Sequence, residues 1–320
     1  MSSSPEHICE GIDRLITVDM SGRGVIYGLY GAARRLANKP LVLNAAERII
    51  SGVSEGDRVV VVTGFRVLPS RVQETDGPLG AASIARALSE ALGARPIVMI
   101  ERESAHVMRA ALSSLGMREA GSYEELLSSQ NSFLLRSFPY DLVEADAEAG
   151  ELISELGPSM VLAIEKVGRA ADGRYYTMRG FDVTDLHMKV EPLFERAVSS
   201  GILTVGIGDG GNEVGMGNIR KAVEDQVPNG KLIAASSKVD ALICSAVSNW
   251  GGYGLSAALT LLTGRREALH TPEEEELMLR AVVEAGAVDG VTGKNELSVD
   301  KLPMKVHVAM IKMLEGFIGR

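Results

Sequence analysis

Along the chain, short runs that are apolar at every position alternate with longer stretches whose apolar residues recur at helical spacing. The short runs lie at 58–63, 96–100, 159–164, 202–205 and 240–244. A strand that is apolar on consecutive positions has both faces covered, as parallel strands between helical layers do. The helical stretches fall at 80–93, 104–115, 142–156, 187–200, 212–225, 252–263, 273–285 and 303–318. Their alternation with the strands predicts a three-layer α/β architecture: a mostly parallel sheet, right-handed crossovers, and helices on both faces. One such unit spans 1–320. The segment 121–158, with weaker strand signals and an acidic run from Glu144 to Glu155, is read as a lobe junction, which leaves room for two lobes.

In open α/β sheets ligands bind beyond the carboxyl ends of the strands, where the loops converge. Those loops here are rich in Gly, Asp, Glu and Asn. The first strand is followed by Thr63-Gly-Phe-Arg66 and then Glu74-Thr-Asp-Gly-Pro78, the third by Glu165-Lys-Val-Gly-Arg169 and Tyr176-Thr-Met-Arg-Gly180. After the fourth comes Gly206-Ile-Gly-Asp-Gly-Gly-Asn-Glu-Val-Gly-Met-Gly217, and after the fifth Ser248-Asn-Trp-Gly-Gly252.

The stretch 206–211 matches GxGxxG in the strand-to-helix context of a dinucleotide fingerprint. Two features argue against that reading. Asp209 and Glu213 would meet a pyrophosphate with two carboxylates, and the acidic residue expected about 20 positions later is missing. The same loop suits a cation: Asp209, Asn212 and Glu213 offer hard oxygen donors that favour Mg²⁺ or Mn²⁺ over zinc. The competing reading, in which Asp209 and Glu213 cap the following helix, leaves Asn212 and the six glycines of the loop unexplained. Asp76 reads either as a turn cap or as a catalytic carboxylate. Glu165, where an apolar strand ends, reads either as half of an exposed ion pair or as a proton shuttle. Arg66 and Arg179 are candidate carboxylate clamps. Trp250, the single tryptophan, sits between Asn249 and two glycines and is read as a pocket wall.

Composition narrows the classes. With 33 Lys and Arg against 42 Asp and Glu, the net charge is −9 and no basic stripe offsets it, which disfavours nucleic acid as a partner. Two cysteines outside any CxxC pair cannot build a disulfide framework, and no apolar run is long enough to span a bilayer. A soluble, cytoplasmic protein with a small-molecule substrate is expected, and a homo-oligomer stays open.

Together the motifs resemble the D-glutamate cyclase family: Thr63-Gly-Phe, Glu74-Thr-Asp-Gly-Pro, Glu165-Lys-Val-Gly-Arg, Tyr176-Thr-Met-Arg-Gly, the glycine-rich dodecapeptide, Val247-Ser-Asn-Trp-Gly-Gly and Asp289-Gly-Val-Thr-Gly. They run in order over most of the chain. The resemblance implies a hydro-lyase that closes D-glutamate, or a similar acidic amino acid, to 5-oxo-D-proline with loss of water. Such closure needs the amine to attack a carboxylate, so the site must neutralise that carboxylate, stabilise an oxyanion and protonate the leaving oxygen. On this reading a divalent cation sits on Glu74, Asp209, Asn212 and Glu213, and Glu165 or Asp76 moves protons. The substrate is held by Arg66 or Arg179 with Thr75, Gly77, Gly208, Gly210, Asn249, Trp250 and Gly251. A metal-dependent phosphatase or other hydrolase, and a non-catalytic binder of acidic amino acids, are the rival classes.

Overall fold

The computed structural model describes residues 4–319. Three helices, α1 (Pro5–Ile16), α2 (Ile26–Ala37) and α3 (Leu41–Gly52), precede the first strand, β1 (Arg58–Gly64). A short hairpin follows, β2 (Arg66–Val67) with β3 (Val72–Gln73), then α4 (Pro78–Leu92), β4 (Arg95–Met99), α5 (Ala105–Ser114) and β5 (Arg118–Glu119). Next come α6 (Tyr123–Ser128), β6 (Ser132–Arg136), α7 (Leu142–Leu156), β7 (Met160–Lys166), α8 (Glu191–Ser199) and β8 (Leu203–Gly208). The chain ends with α9 (Arg220–Gln226), α10 (Gly230–Ile233), β9 (Ala241–Cys244), α11 (Ser248–Thr263), α12 (Pro272–Glu284), the pair β10 (Ser298–Val299) and β11 (Leu302–Pro303), and α13 (Met304–Phe317).

Seven strands form one parallel sheet in the order β5-β6-β4-β1-β7-β8-β9. Val59 to Val62 of β1 are fully buried on both faces, as the uninterrupted apolar run predicts. The segment 121–158 supplies β6, which pairs with β4, and α7, which packs on α8. Helices α4 and α11 meet closely on one face of the sheet: a Cβ on Gly252 would stand 2.9 Å from Gly80 Cα. Here glycine is required by proximity alone. α4 starts with Pro78 in its first turn and stops at Gly93 in a left-handed conformation, the usual asymmetry of helix ends. Helix α12 opens with a capping box between Thr271 and Glu274. Among the described residues no helix is long and apolar enough to cross a membrane.

Candidate active site

From β1 the chain winds outward through β4, and from β7 it winds the other way through β8, so β1 and β7 flank the point where the winding reverses. Ligands of open α/β sheets sit beyond the strand ends at this point. A cavity of about 700 Å³ opens there. Five carboxylates line it, those of Glu74, Asp76, Glu165, Asp209 and Asp300, together with the guanidinium of Arg23. Oxygens of Asp76, Glu165 and Asp209 come within 4.8 Å of one another, and all three residues are buried.

Each of the three is placed by a different device. Asp76 caps α11 from outside the helix, because Val247 at the cap position contributes no side-chain hydrogen bond. The Asp76 carboxylate accepts Ser248 N–H at 2.9 Å, Asn249 N–H at 2.8 Å and Gly77 N–H at 3.0 Å. Glu165 occupies a β-bulge. Val62 pairs with Ala163 and Gly64 with Lys166, so Thr63 of β1 alone faces Ile164 and Glu165 of β7. Glu165 takes a left-handed φ of 43°, and its carboxylate lines the cavity and accepts the Ser248 hydroxyl at 2.5 Å. A non-glycine residue in that region costs on the order of 1–3 kcal/mol and marks functional sites disproportionately. Asp209 accepts a hydrogen bond from Arg23 Nη2, which also donates to Ala246 O at 2.6 Å and stands 3.6 Å from Asp300.

Burial raises the affinity of Glu74, Asp76, Glu165 and Asp300 for protons. Desolvation, with Asp209 close by, lifts Asp76 to about 7 against the Asn249 and Ser248 N–H groups and the Arg23 charge, which favour its ionised form. Glu165 is pushed well above the usual carboxylate range by burial and then by Asp209 and Glu213. Glu74 and Asp300 are raised likewise by burial and by their acidic neighbours. At neutral pH part of this cluster therefore holds protons.

The residues expected from sequence divide into two groups. Glu74, Asp76, Glu165, Arg179, Asp209 and Asn212 line the cavity. The others support it from outside. Glu213 turns back onto its own loop, accepting the N–H groups of Asp209 (3.1 Å), Gly210 (2.7 Å) and Gly211 (2.7 Å) with both oxygens; burial raises it to about 7. Gly208 packs under Glu213, and Gly210 packs under Met178. Asn212 also donates to Tyr176 O at 2.8 Å.

Arg66 does not face the cavity. Its Nε donates to Arg71 O at 2.9 Å across the β2–β3 hairpin, and Glu103 lies 3.5 Å away. Asn249 fastens the 74–80 loop to α11: its Oδ1 accepts Gly77 and Gly80 N–H at 2.9 and 2.8 Å, and its Nδ2 donates to Thr75 O at 3.0 Å. Thr75 in turn donates to Ser298 O at 2.9 Å. Trp250 does not wall the cavity. It is fully buried in the core, where its indole N–H donates to His307 Nδ1 at 3.0 Å. Gly251 lets α11 lie on β8, since a Cβ there would be 2.5 Å from Ile207.

Three charged cavity residues escape the sequence reading. Arg23 sits in the turn Ser21-Gly-Arg-Gly24, shaped by Asp19 accepting the N–H groups of Arg23 (3.1 Å) and Gly24 (2.5 Å). Asp300 comes from the segment after the Asp289-Gly-Val-Thr-Gly motif. Asp289 ties that motif down by accepting Val291 N–H, Thr292 N–H, Ser298 O–H and Lys301 N–H. Arg71 is exposed at the hairpin tip and lines the cavity, and it forms no ion pair among the described residues.

The comparisons with known proteins fit this site. The family described as D-glutamate cyclase-like, C-terminal, matches residues 12–315. Mitochondrial D-glutamate cyclase of Homo sapiens is 28% identical over 334 aligned positions, covering 95% of this chain. The chain spans about half, 50%, of that relative's length. With nearly all of its length matched, including every segment that lines the cavity, the chain belongs to the D-glutamate cyclase-like, C-terminal family.

Proposed function

We propose that this protein closes D-glutamate, or a closely similar acidic amino acid, to the five-membered lactam 5-oxo-D-proline with loss of water, and catalyses the reverse opening. The observation that carries the reading is the convergence of Asp76, Glu165 and Asp209 within 4.8 Å in a buried cavity, in a chain of a family whose curated relative is named a D-glutamate cyclase.

The reaction asks for three things. The α-amine must attack as the free base, the γ-carboxyl must lose its charge, and the departing oxygen must gain a proton. Asp76, titrating near neutrality, is suited to take the proton of the incoming ammonium. Glu165, kept protonated by burial, is suited to give one to the departing oxygen. Arg71 and Arg179, from two loops at the cavity, hold the α-carboxylate, and the site orients the substrate into its ring-closing conformation, an effect worth several kcal/mol.

The donor set fits a divalent cation. Hard carboxylate oxygens converge from three loops, and five cavity carboxylates face a single internal guanidinium, so positive charge is in deficit. Asp209, with Glu74 and Asn212 lining the same cavity, would hold Mg²⁺ or Mn²⁺, which leaves Asp76 and Glu165 to move protons. When bound, such an ion polarises the substrate carboxyl as a Lewis acid.

The test is incubation of protein, with and without Mg²⁺ or Mn²⁺ after chelation, with each enantiomer of glutamate and of 5-oxoproline, read by chiral chromatography. Interconversion confined to one enantiomeric pair supports the reading. Phosphate release from a generic ester with no reaction on glutamate makes the site a hydrolase, and tight glutamate binding without turnover makes it a sensor.

A further inference from the structure

Beneath the bulge lies a buried ionic network that the chemistry above does not use. Lys166, fully buried and adjacent to Glu165, donates from Nζ to Glu101 Oε1 and, at 3.3 Å, to Gly64 O. Gly64 ends β1, Lys166 ends β7, and Glu101 follows β4, so one ammonium joins the carboxyl ends of three adjacent strands. The same Glu101 oxygen is 3.0 Å from His187 Nδ1 and accepts Met188 N–H at 3.3 Å.

As a stabilising device the network is poorly built. Removing two charges from water largely cancels their attraction, and buried pairs of this kind are weak evidence for stability. Glu101 Oε2 and His187 Nε2, moreover, are buried with no hydrogen-bond partner. Its position says more than its energy does. Lys166 is the first residue of β7 to regain register with β1 after the bulge, and the residue before it is the strained Glu165.

We propose that Lys166 and Glu101 are positioning residues that lock the bulge and thereby hold the Glu165 carboxyl in the cavity. With Lys166 pinned to Gly64 on one side of the bulge and Ala163 paired to Val62 on the other, the extra residue has no room to relax to an extended conformation. The Ser248 hydroxyl holds the far end of the side chain. This inference rests on Glu165 having the role proposed above, and its test separates the two.

The decisive variant is Lys166→Met combined with Glu101→Gln. It removes both charges and keeps an acceptor for His187 and Met188. Expected are a melting temperature near that of the wild type, a KM within about threefold, and a kcat lowered on the order of 10²-fold, the usual effect of misplacing a catalytic group by an ångström. A crystal structure of the variant should show Glu165 out of the left-handed region and off Ser248. Wild-type kcat, or Glu165 unmoved, overturns the lock. If the wild type turns over no enantiomer of glutamate, the functional reading fails, and the position of Glu165 in the variant crystal alone decides the lock. Should the double variant not fold, Glu101→Gln by itself must give the same kcat-only loss at roughly tenfold, and an unchanged kcat there also overturns the inference.

Discussion

The network under the bulge should make the protein acid-sensitive through His187. Burial, the dominant influence, holds this imidazole down at about 4, against an ordinary value of 6.5 and in spite of its hydrogen bond to Glu101. In the unfolded chain the same residue titrates normally, so between these two values the unfolded state binds a proton that the native state refuses. Stability from this source is complete above pH 6.5 and is lost as the pH falls toward 4. The full difference is about 3 kcal/mol, with ~2.5 kcal/mol of it gone by about pH 4.5. Asp76 and Glu213 act in the opposite sense. Raised to about 7, they bind protons in the native state that the unfolded state releases, so their contribution grows as pH falls. The whole-protein curve mixes both effects, and the comparison must be internal. His187→Asn retains a donor toward Glu101 and has nothing to titrate. Urea unfolding of wild type and variant should be run in a chelator at steps from about pH 7.5 to about pH 4.5. The expected result is a gap between the two proteins that closes by about 2.5 kcal/mol on acidification, because only the wild type loses this term. Parallel curves would show that the imidazole titrates alike in the native and unfolded states, and the reasoning would fail.

Glu165→Gln should keep the fold and lower the rate by on the order of 10²–10⁴, the usual worth of a general acid, in single-turnover kinetics; full activity would move the role to Asp76. Mg²⁺ or Mn²⁺ should raise the melting temperature of the wild type by mass action and leave Asp209→Asn unmoved, whereas an undiminished rise in that variant places the ion elsewhere. Asn249→Ala strips the buried Gly80 N–H of its acceptor, leaves Gly77 N–H to Asp76 alone and should cost about 1–3 kcal/mol in denaturant unfolding, with activity falling as the 74–80 loop loosens. Gly252→Ala sets a methyl against Gly80 Cα and should cost about 1–3 kcal/mol of stability, while a neutral result would mean α4 and α11 can separate freely.

The central sheet is legible in the sequence because burial on both faces writes an unbroken apolar run, and 58–63, 96–100, 159–164, 202–205 and 240–244 all fall on strands of the sheet. The helices before β1 are named by no such run, although Cys9, Ile12 and Ile16 line one buried face of α1 at helical spacing. Strand β6 is harder to read, since Leu134, Leu135 and Arg136 are only partly buried near the sheet edge and the pattern there is mixed. Helix starts move for a related reason. The stretch read as helical from 187 begins with buried loop residues that serve Glu101, and α8 proper starts at Glu191.

Within the site, the sequence marks which loops matter better than it marks what each residue does. Glycine-rich, acidic strand ends draw attention to Glu74, Asp76, Glu165 and Asp209, which line one cavity, since permissive backbone lets so many carboxylates come together. Whether a carboxylate faces a cavity or its own backbone depends on side-chain direction, which spacing does not encode. Glu213 and Asp209 are four residues apart, yet the first closes the loop and the second opens onto the cavity. Asn249 and Trp250 likewise owe their places to the packing of α11 on α4 and α13 rather than to a ligand. Arg23 and Asp300 lie about 186 and 91 positions from Asp209 along the chain, and only tertiary structure can join them. The bulge is the sharpest case. Nothing in Ile164-Glu-Lys166 announces an extra residue, because the run is continuous and each side chain is compatible with a strand. The misfit arises only when β7 is paired with β1 on one side and β8 on the other, and Glu165 is the residue left over. A buried acid held in a strained backbone by its neighbours' pairing is therefore a property of the sheet, and its chemical use follows from where the sheet puts it.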